Sequence, residues 1–191
     1  MTSADQQTKL SVEATAIDGV LIIEPKVFGD KRGWFSESFN AQDFAVATGL
    51  ELEFVQDNHS YSHKDTLRGL HYQLEKTQGK LVRVTSGSVF DVAVDLRQKS
   101  PSYGKWVGVE LSADNHKQLW IPPGLAHGFL VLSSTAEFLY KTTDYYHPHS
   151  EVCLAWDDPT VNIQWPLTAR TLPNLNAKDF AGLSWEQAPK F

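Results

Sequence analysis

The chain holds a single cysteine, Cys153, in 191 residues. That excludes an intrachain disulfide and any zinc site built on several thiolates. No apolar run reaches the length of a membrane span, and the sequence has no repeat, no low-complexity linker and no block of like charge. Positive charge is also scarce: 17 Lys and Arg stand against 23 Asp and Glu, for a net charge of −6. The overall field therefore draws neither nucleic acid nor an anionic membrane, and neither is expected as a partner. An anionic ligand would be held by a few local Arg and Lys side chains. The opening segment, MTSADQQTKLSVEATA, lacks the basic-then-apolar order of a secretory signal. A cytoplasmic protein is expected, and the glycosylation pattern at Asn58-His59-Ser60 then carries no meaning.

What is present is aromatic and strand-like. Aromatic residues make up 12% of the chain, six of them Trp and six Tyr. Such a content suits an all-β fold or a protein that stacks flat ligands. Short apolar runs are punctuated by turn residues: GVLIIEPKVF, RGWFSESFN, TLRGLHYQ, WVGVELS, KQLWIPPGLAHGFLVLS and AEFLYKTTDYY. Many close strands with Gly and Pro turns predict an antiparallel sandwich or barrel, in one domain over 1–191. In KLVRVTSGSVFDVAVDLR, Phe90, Val92, Val94 and Leu96 alternate with Asp91, Ala93 and Asp95, which reads as a hairpin turning at TSGS. NAQDFAVATG predicts a short helix capped by Asn40 and ended by Gly49. NAKDFAGLSWEQ predicts a short helix or turn packed at one end.

The chemistry-bearing residues divide between two readings. A metal site of the kind jelly rolls often carry needs a His-x-His pair with a carboxylate and a further His. Here the second position of the pair is Gln73, so His71 and His127 are two ligands without a third, and His147-Pro148-His149 reads as a solvated turn. The metal-free reading makes His71 a general acid or base. A base of this type needs a carboxylate to fix its tautomer, and Asp91, Asp95 and Asp179 are all candidates. Lys80 begins a strand after Gly79, and Tyr140 shares a strand face with Phe138. Each has a bland alternative as a solvated strand end or a satisfied core hydroxyl. Arg32 and Arg68 are forked donors suited to phosphate, and Phe28, Phe35, Tyr145 and Tyr146 can stack a base. Arg68 and His71 lie three apart, so strict alternation does not put them on one face. The strand is expected to bend, at Gly69, or to approach a ligand at two points.

Six ordered blocks carry a resemblance: PKVFGDKRGWFSESFN, FVQDNHSYS, LRGLHYQ, QGKLVRVTSGSVFDVAVDLR, GVELSADNHKQLWIPPGLAHGF and AEFLYKTTDYYHP. Together they resemble the dTDP-4-dehydrorhamnose 3,5-epimerase family, from about Ile17 to about Leu183. Tyr72 departs mildly, standing where Phe is common, and the LEKTQGK loop varies in length in the family. The resemblance implies a cupin jelly roll, a double-stranded β-helix with a few short helices. It implies inversion of C3 and C5 of dTDP-4-keto-6-deoxy-D-glucose through an enolate, in dTDP-L-rhamnose synthesis. A C3-only or C5-only epimerase, or a ketoisomerase of an antibiotic-sugar pathway, is the alternative. By the same resemblance His71 is the base, Asp179 its partner, Tyr140 the opposing acid and Lys80 the group at the ketone oxygen. Arg32 and Arg68 would hold the diphosphate, Phe28 and Tyr146 would stack the nucleotide, and Glu37 would lie near its base. Gln56, Asn58 and His127 would surround the sugar. No metal and no cofactor are implied. The implied partners are the dTDP-sugar and a second copy of the chain, a homodimer with exchanged N-terminal strands in which Phe28 and Arg32 serve the partner's pocket.

Overall fold

The structure, a computed structural model, describes residues 9–167 and 171–191. The first eight residues of the opening segment, and of the 1–191 domain, lie outside the described residues. Strands dominate: β1 (Leu10–Ala14), β2 (Leu21–Pro25), β3 (Val27–Asp30), β4 (Gly33–Ser36), β5 (Gln56–His63), β6 (Leu67–Gln73) and β7 (Lys80–Ser86). They are followed by β8 (Ser88–Asp95), β9 (Trp106–Ser112), β10 (Gln118–Ile121), β11 (Leu125–Val131), β12 (Thr135–Thr142) and β13 (Glu151–Cys153). Among the described residues two α-helices, α1 (Ala41–Thr48) and α2 (Ala177–Phe180), and one 3-10 turn over Pro148–Ser150 complete the set. The Asn40 side chain accepts from the Gln42 and Asp43 amides at the start of α1, and the Gly49 amide closes its last turn on Ala45. Both helix ends expected from the sequence are therefore formed as cap chemistry dictates.

The strands form an antiparallel sandwich. One sheet runs β1-β2-β10-β7-β12-β5 and the facing sheet β13-β6-β11-β8-β9, while β3 and β4 form a separate ribbon. This is the jelly-roll architecture. The expected hairpin of β7 and β8 does not form. β7 pairs with β10 and β12, and β8 pairs with β11 and β9. One residue, Gly87, separates them at φ 75°, and there the chain crosses from one sheet to the other. A turn between two apolar alternating runs does not distinguish a hairpin from a corner, because both need the same left-handed residue.

The alternation in β8 has a second consequence. Its apolar face, Phe90, Val92 and Val94, does not point between the sheets. It packs outward with Leu70, Tyr72 and Leu96 beneath the C-terminal segment, which contributes Trp165, Trp185 and Phe191. Asp91 and Ala93 take the inward face. Between the sheets lie Val82, Val89, Leu119, Phe129 and Phe138. The outer face of the other sheet is covered by Phe44, Leu50, Leu52 and Phe54, packed on Ile23, Leu81 and Trp120. Covering both outer faces lets the sandwich interior open at one end into a polar cavity without losing its apolar core.

Candidate active site

The cavity opens between the sheets and measures about 370 Å3. His71, Arg68 and His127 reach it from β6 and β11 on one wall, and Gln56, Asn58, Lys80 and Tyr140 from β5, β7 and β12 on the other. Asp179 enters from α2 and Tyr146 from the loop after β12. All four residues expected to be catalytic line this one cavity, drawn from sequence positions more than a hundred residues apart.

The bend in β6 is real. Across the β6–β11 pairing His71 opposes His127 and Arg68 opposes Phe129, so β6 uses three steps where β11 uses two. The extra residue is a bulge, and it puts Arg68 and His71 on one face. Gly69 sits at φ 110°, where a Cβ would stand 2.5 Å from the His127 carbonyl oxygen and 2.7 Å from Gly128 Cα. Only glycine fits at this crossing of backbones. The bulge also turns the Gly69 amide toward Asp179, which accepts from it at 3.3 Å.

Asp179 is the partner of His71. Its Oδ1 lies 2.5 Å from His71 Nε2, and its side chain is 1% exposed. An ionised carboxylate only accepts, so Nε2 carries the proton and Nδ1 keeps a free lone pair. Asp179 is held by its place in α2. The Asn176 side chain caps the helix by accepting the Asp179 amide at 2.8 Å, and the chain on either side is pinned to β6 and β13 by the Thr66–Asn174 and Leu154–Leu183 bridges. The other two candidate carboxylates are engaged elsewhere. Asp91 accepts from His127 Nε2 through both oxygens, at 2.9 and 3.1 Å. Asp95 is taken up by Arg97, Ser100 and Ser102.

Lys80 Nζ reaches the His71 carbonyl oxygen at 3.4 Å. Burial lowers its pKa to about 8, against the opposing pull of Asp91 and Glu151. His127 is lowered too, by burial first, against Asp91. Burial raises the Tyr140 phenol, with a further push from the Glu151 carboxylate, so Tyr140 is protonated at neutral pH. Phe138 stacks on Phe129 at 4.2 Å between centroids and gives the cavity an apolar floor. Asn58 Nδ2 is buried without a hydrogen-bond partner among the described residues. Its carbonyl accepts from Gln56, whose own carbonyl takes the Tyr146 amide. Arg68 lines the cavity and donates from Nε to Ser62 Oγ at 3.0 Å and from Nη2 to the Tyr61 carbonyl oxygen at 3.4 Å.

Three expected binding residues stand apart from this cavity. Phe28 and Arg32 belong to the β3–β4 ribbon, where Arg32 pairs with Asp30 at 2.6 Å and Phe28, Trp34 and Phe35 are exposed. Glu37 makes an ion pair with Lys9 at 3.6 Å. Sequence reasoning in turn missed Glu151 and Lys178, which line the cavity mouth. Glu151 accepts from Lys178 Nζ and the Tyr146 hydroxyl, both at 2.9 Å. Burial pushes its carboxyl up, but these two hydrogen bonds outweigh it and hold it below its ordinary value. Lys178 had a signal, its place beside Asp179 on a short helix. Glu151 had none, because only the β13–β6 pairing brings it here.

With this geometry in place, similarity to known proteins becomes informative. The family model for dTDP-4-dehydrorhamnose 3,5-epimerase matches residues 14–187. The dTDP-4-dehydrorhamnose 3,5-epimerase of Salmonella typhimurium is 58% identical over 175 residues, covering 91% of this chain and 94% of that one. Its counterpart in Pseudomonas aeruginosa is 56% identical, covering 92% and 96%. The crystal structure of a dTDP-6-deoxy-D-glucose-3,5-epimerase from Legionella pneumophila in complex with dTDP-4-keto-L-rhamnose superposes with a TM-score of 0.90 at 52% identity, covering 94% of this chain and 95% of that one.

Proposed function

The chain belongs to the dTDP-4-dehydrorhamnose 3,5-epimerase family, and from that premise we propose how its residues carry the reaction. It is an isomerase that inverts C3 and C5 of dTDP-4-keto-6-deoxy-D-glucose to give dTDP-4-keto-L-rhamnose. Both carbons flank the C4 ketone, so removing either proton gives an enolate. His71 Nδ1 takes the proton, and Asp179 holds the ring in the right tautomer and stabilises the imidazolium that forms. Tyr140 returns a proton from the opposite wall. Lys80 stabilises the charge that develops on the ketone oxygen. The observation that carries this reading is the His71–Asp179 pair facing Tyr140 across the cavity. Inversion needs a base on one face of the carbon and a donor on the other, and β6 and β12 belong to opposite sheets.

Arg68 holds the diphosphate, Tyr146 stacks the nucleotide, and Gln56, Asn58 and His127 surround the sugar. The unpaired Asn58 amide supports this role, since a buried donor without a partner is costly until a ligand supplies one. Phe28, Arg32 and Glu37 complete a nucleotide site shared between two copies of the chain, a homodimer with exchanged N-terminal strands around one catalytic domain over 1–191. The aromatic side chains exposed on a ribbon outside both sheets support that arrangement. Among the described residues no helix is long and apolar enough to cross a membrane, and we place the enzyme in the cytoplasm.

The test separates chemistry from binding. His71→Ala is expected to lower turnover by about 10^3-fold or more while dTDP affinity, read by calorimetry, changes by less than about threefold, because the nucleotide contacts remain. Turnover within about tenfold of the parent would contradict the role given to His71.

A further inference from the structure

Cys153 takes no part in the mechanism, yet it stands beside the dyad. In the β13–β6 pairing Cys153 lies opposite His71, and opposed residues in an antiparallel pair project from the same face of the sheet. The Sγ of Cys153, a ring nitrogen of His71 and a carboxylate oxygen of Asp179 all lie within 4.8 Å of one another. The thiol is half-buried, and its contact to the Leu154 carbonyl, at 3.8 Å, is weak. Its proton is held by burial and by the neighbouring Asp179 carboxylate, which raise the thiol to about 12.

We propose that His71, Cys153 and Asp179 form a site for a thiophilic divalent cation of the zinc class, and that the bound cation switches the enzyme off. The inference rests on the reading of His71 as the base. The donor set is sulfur, imidazole nitrogen and carboxylate oxygen, which suits zinc and not magnesium or calcium. Zinc takes sulfur at about 2.3 Å and nitrogen or oxygen at about 2.0 Å, so with one sulfur the tetrahedral donors sit roughly 3.3 to 3.5 Å apart. The donor atoms lie within 4.8 Å and the His71–Asp179 contact is 2.5 Å, so the cluster reaches that spacing if the widest separation closes by up to about 1.3 Å and the His71–Asp179 contact opens by about 0.8 Å. The fourth position is left for water or for a substrate oxygen, since His71 and Asp179 both face the cavity.

Inhibition follows from the tautomer. In the metal-free dyad Nε2 carries the proton and Nδ1 the reactive lone pair. A cation on Nε2 requires the lone pair there, so the ring proton moves to Nδ1 and the base is disarmed. The thiol proton leaves to solvent as the sulfur–metal bond forms. Arg68 and Tyr146 are untouched, so nucleotide affinity persists.

Cobalt(II) added to the metal-free enzyme without substrate tests the site directly. One equivalent is expected to raise a thiolate-to-metal charge-transfer band in the near ultraviolet, and Cys153→Ala is expected to lack it. In turnover assays zinc should inhibit the parent enzyme, with recovery on chelation. Cys153→Ala and Cys153→Ser should keep metal-free turnover and dTDP affinity but need about tenfold or more zinc for equal inhibition. Absence of the band, or equal inhibition of the parent and both variants, overturns the proposal. A protein that shows the band but never turns over the sugar keeps the metal site and removes the epimerase reading, so the two failures are distinguishable.

Discussion

Lys80 begins β7 with its ammonium among His71, Asp91 and Glu151, and burial holds its pKa near 8. The enolate needs the charged form, so turnover is expected to fall as pH rises through about 8. Lys80→Met should remove that alkaline limb and lower kcat by about 10^2- to 10^3-fold. A limb that persists unchanged in the variant would assign it to another group. Stability moves in the opposite direction. In the unfolded chain the same lysine titrates near 10.5, so between about 8 and 10.5 the unfolded state binds more protons and the Lys80 contribution to stability rises with pH. Residue types and spacing already singled out Lys80, Tyr140 and His71. What they left open was the carboxylate. By residue type alone Asp91, Asp95 and Asp179 were equivalent and only the family resemblance pointed to Asp179; the placement of α2 beside the β6 bulge puts Asp179 against His71 and leaves Asp91 to His127.

At the scale of elements, β6 is the decisive strand. Its bulge brings Arg68 and His71 to one face and supplies the Gly69 amide to Asp179. Gly69→Ala puts a methyl against the His127 carbonyl at a positive φ, and is expected to destabilise the fold by about 2 to 4 kcal/mol. Equilibrium denaturation measures it. Molecules that fold should still lose turnover because the dyad shifts, and parental stability and activity together would contradict the packing described. The bend was legible because a three-residue spacing conflicts with period two and a glycine lay between. The β7–β8 corner was not. Its sequence meets every requirement of a hairpin, and the choice is made by partners far along the chain, β10 and β12 for one strand, β11 and β9 for the other. The same limit applied to β8, whose apolar face packs under the tail and whose Asp91 faces inward.

On the scale of the whole molecule, the β3–β4 ribbon leaves Phe28, Trp34 and Phe35 exposed and holds Arg32 away from the cavity of its own chain. A homodimer is expected in sedimentation. Phe28→Ala should weaken dTDP binding by about tenfold, with kcat at saturation nearly unchanged, because in the proposed shared site this aromatic supplies binding and not chemistry. A monomer with full nucleotide affinity at assay concentration would contradict the shared site. The antiparallel sandwich was readable from many short strands and turn residues, whereas the coverings of its two outer faces were not, since α1 and the C-terminal segment earn their places through contacts no local pattern reports.

In the proposed mechanism one dyad and one opposing acid act at both carbons beside the ketone. Incubating the enzyme with dTDP-4-keto-6-deoxy-D-glucose in deuterated water, and following the sugar by NMR, is the decisive experiment. Enzyme-dependent deuterium is expected at both C3 and C5, and none above the uncatalysed background with His71→Ala. Deuterium at one carbon only, or at neither, would contradict it.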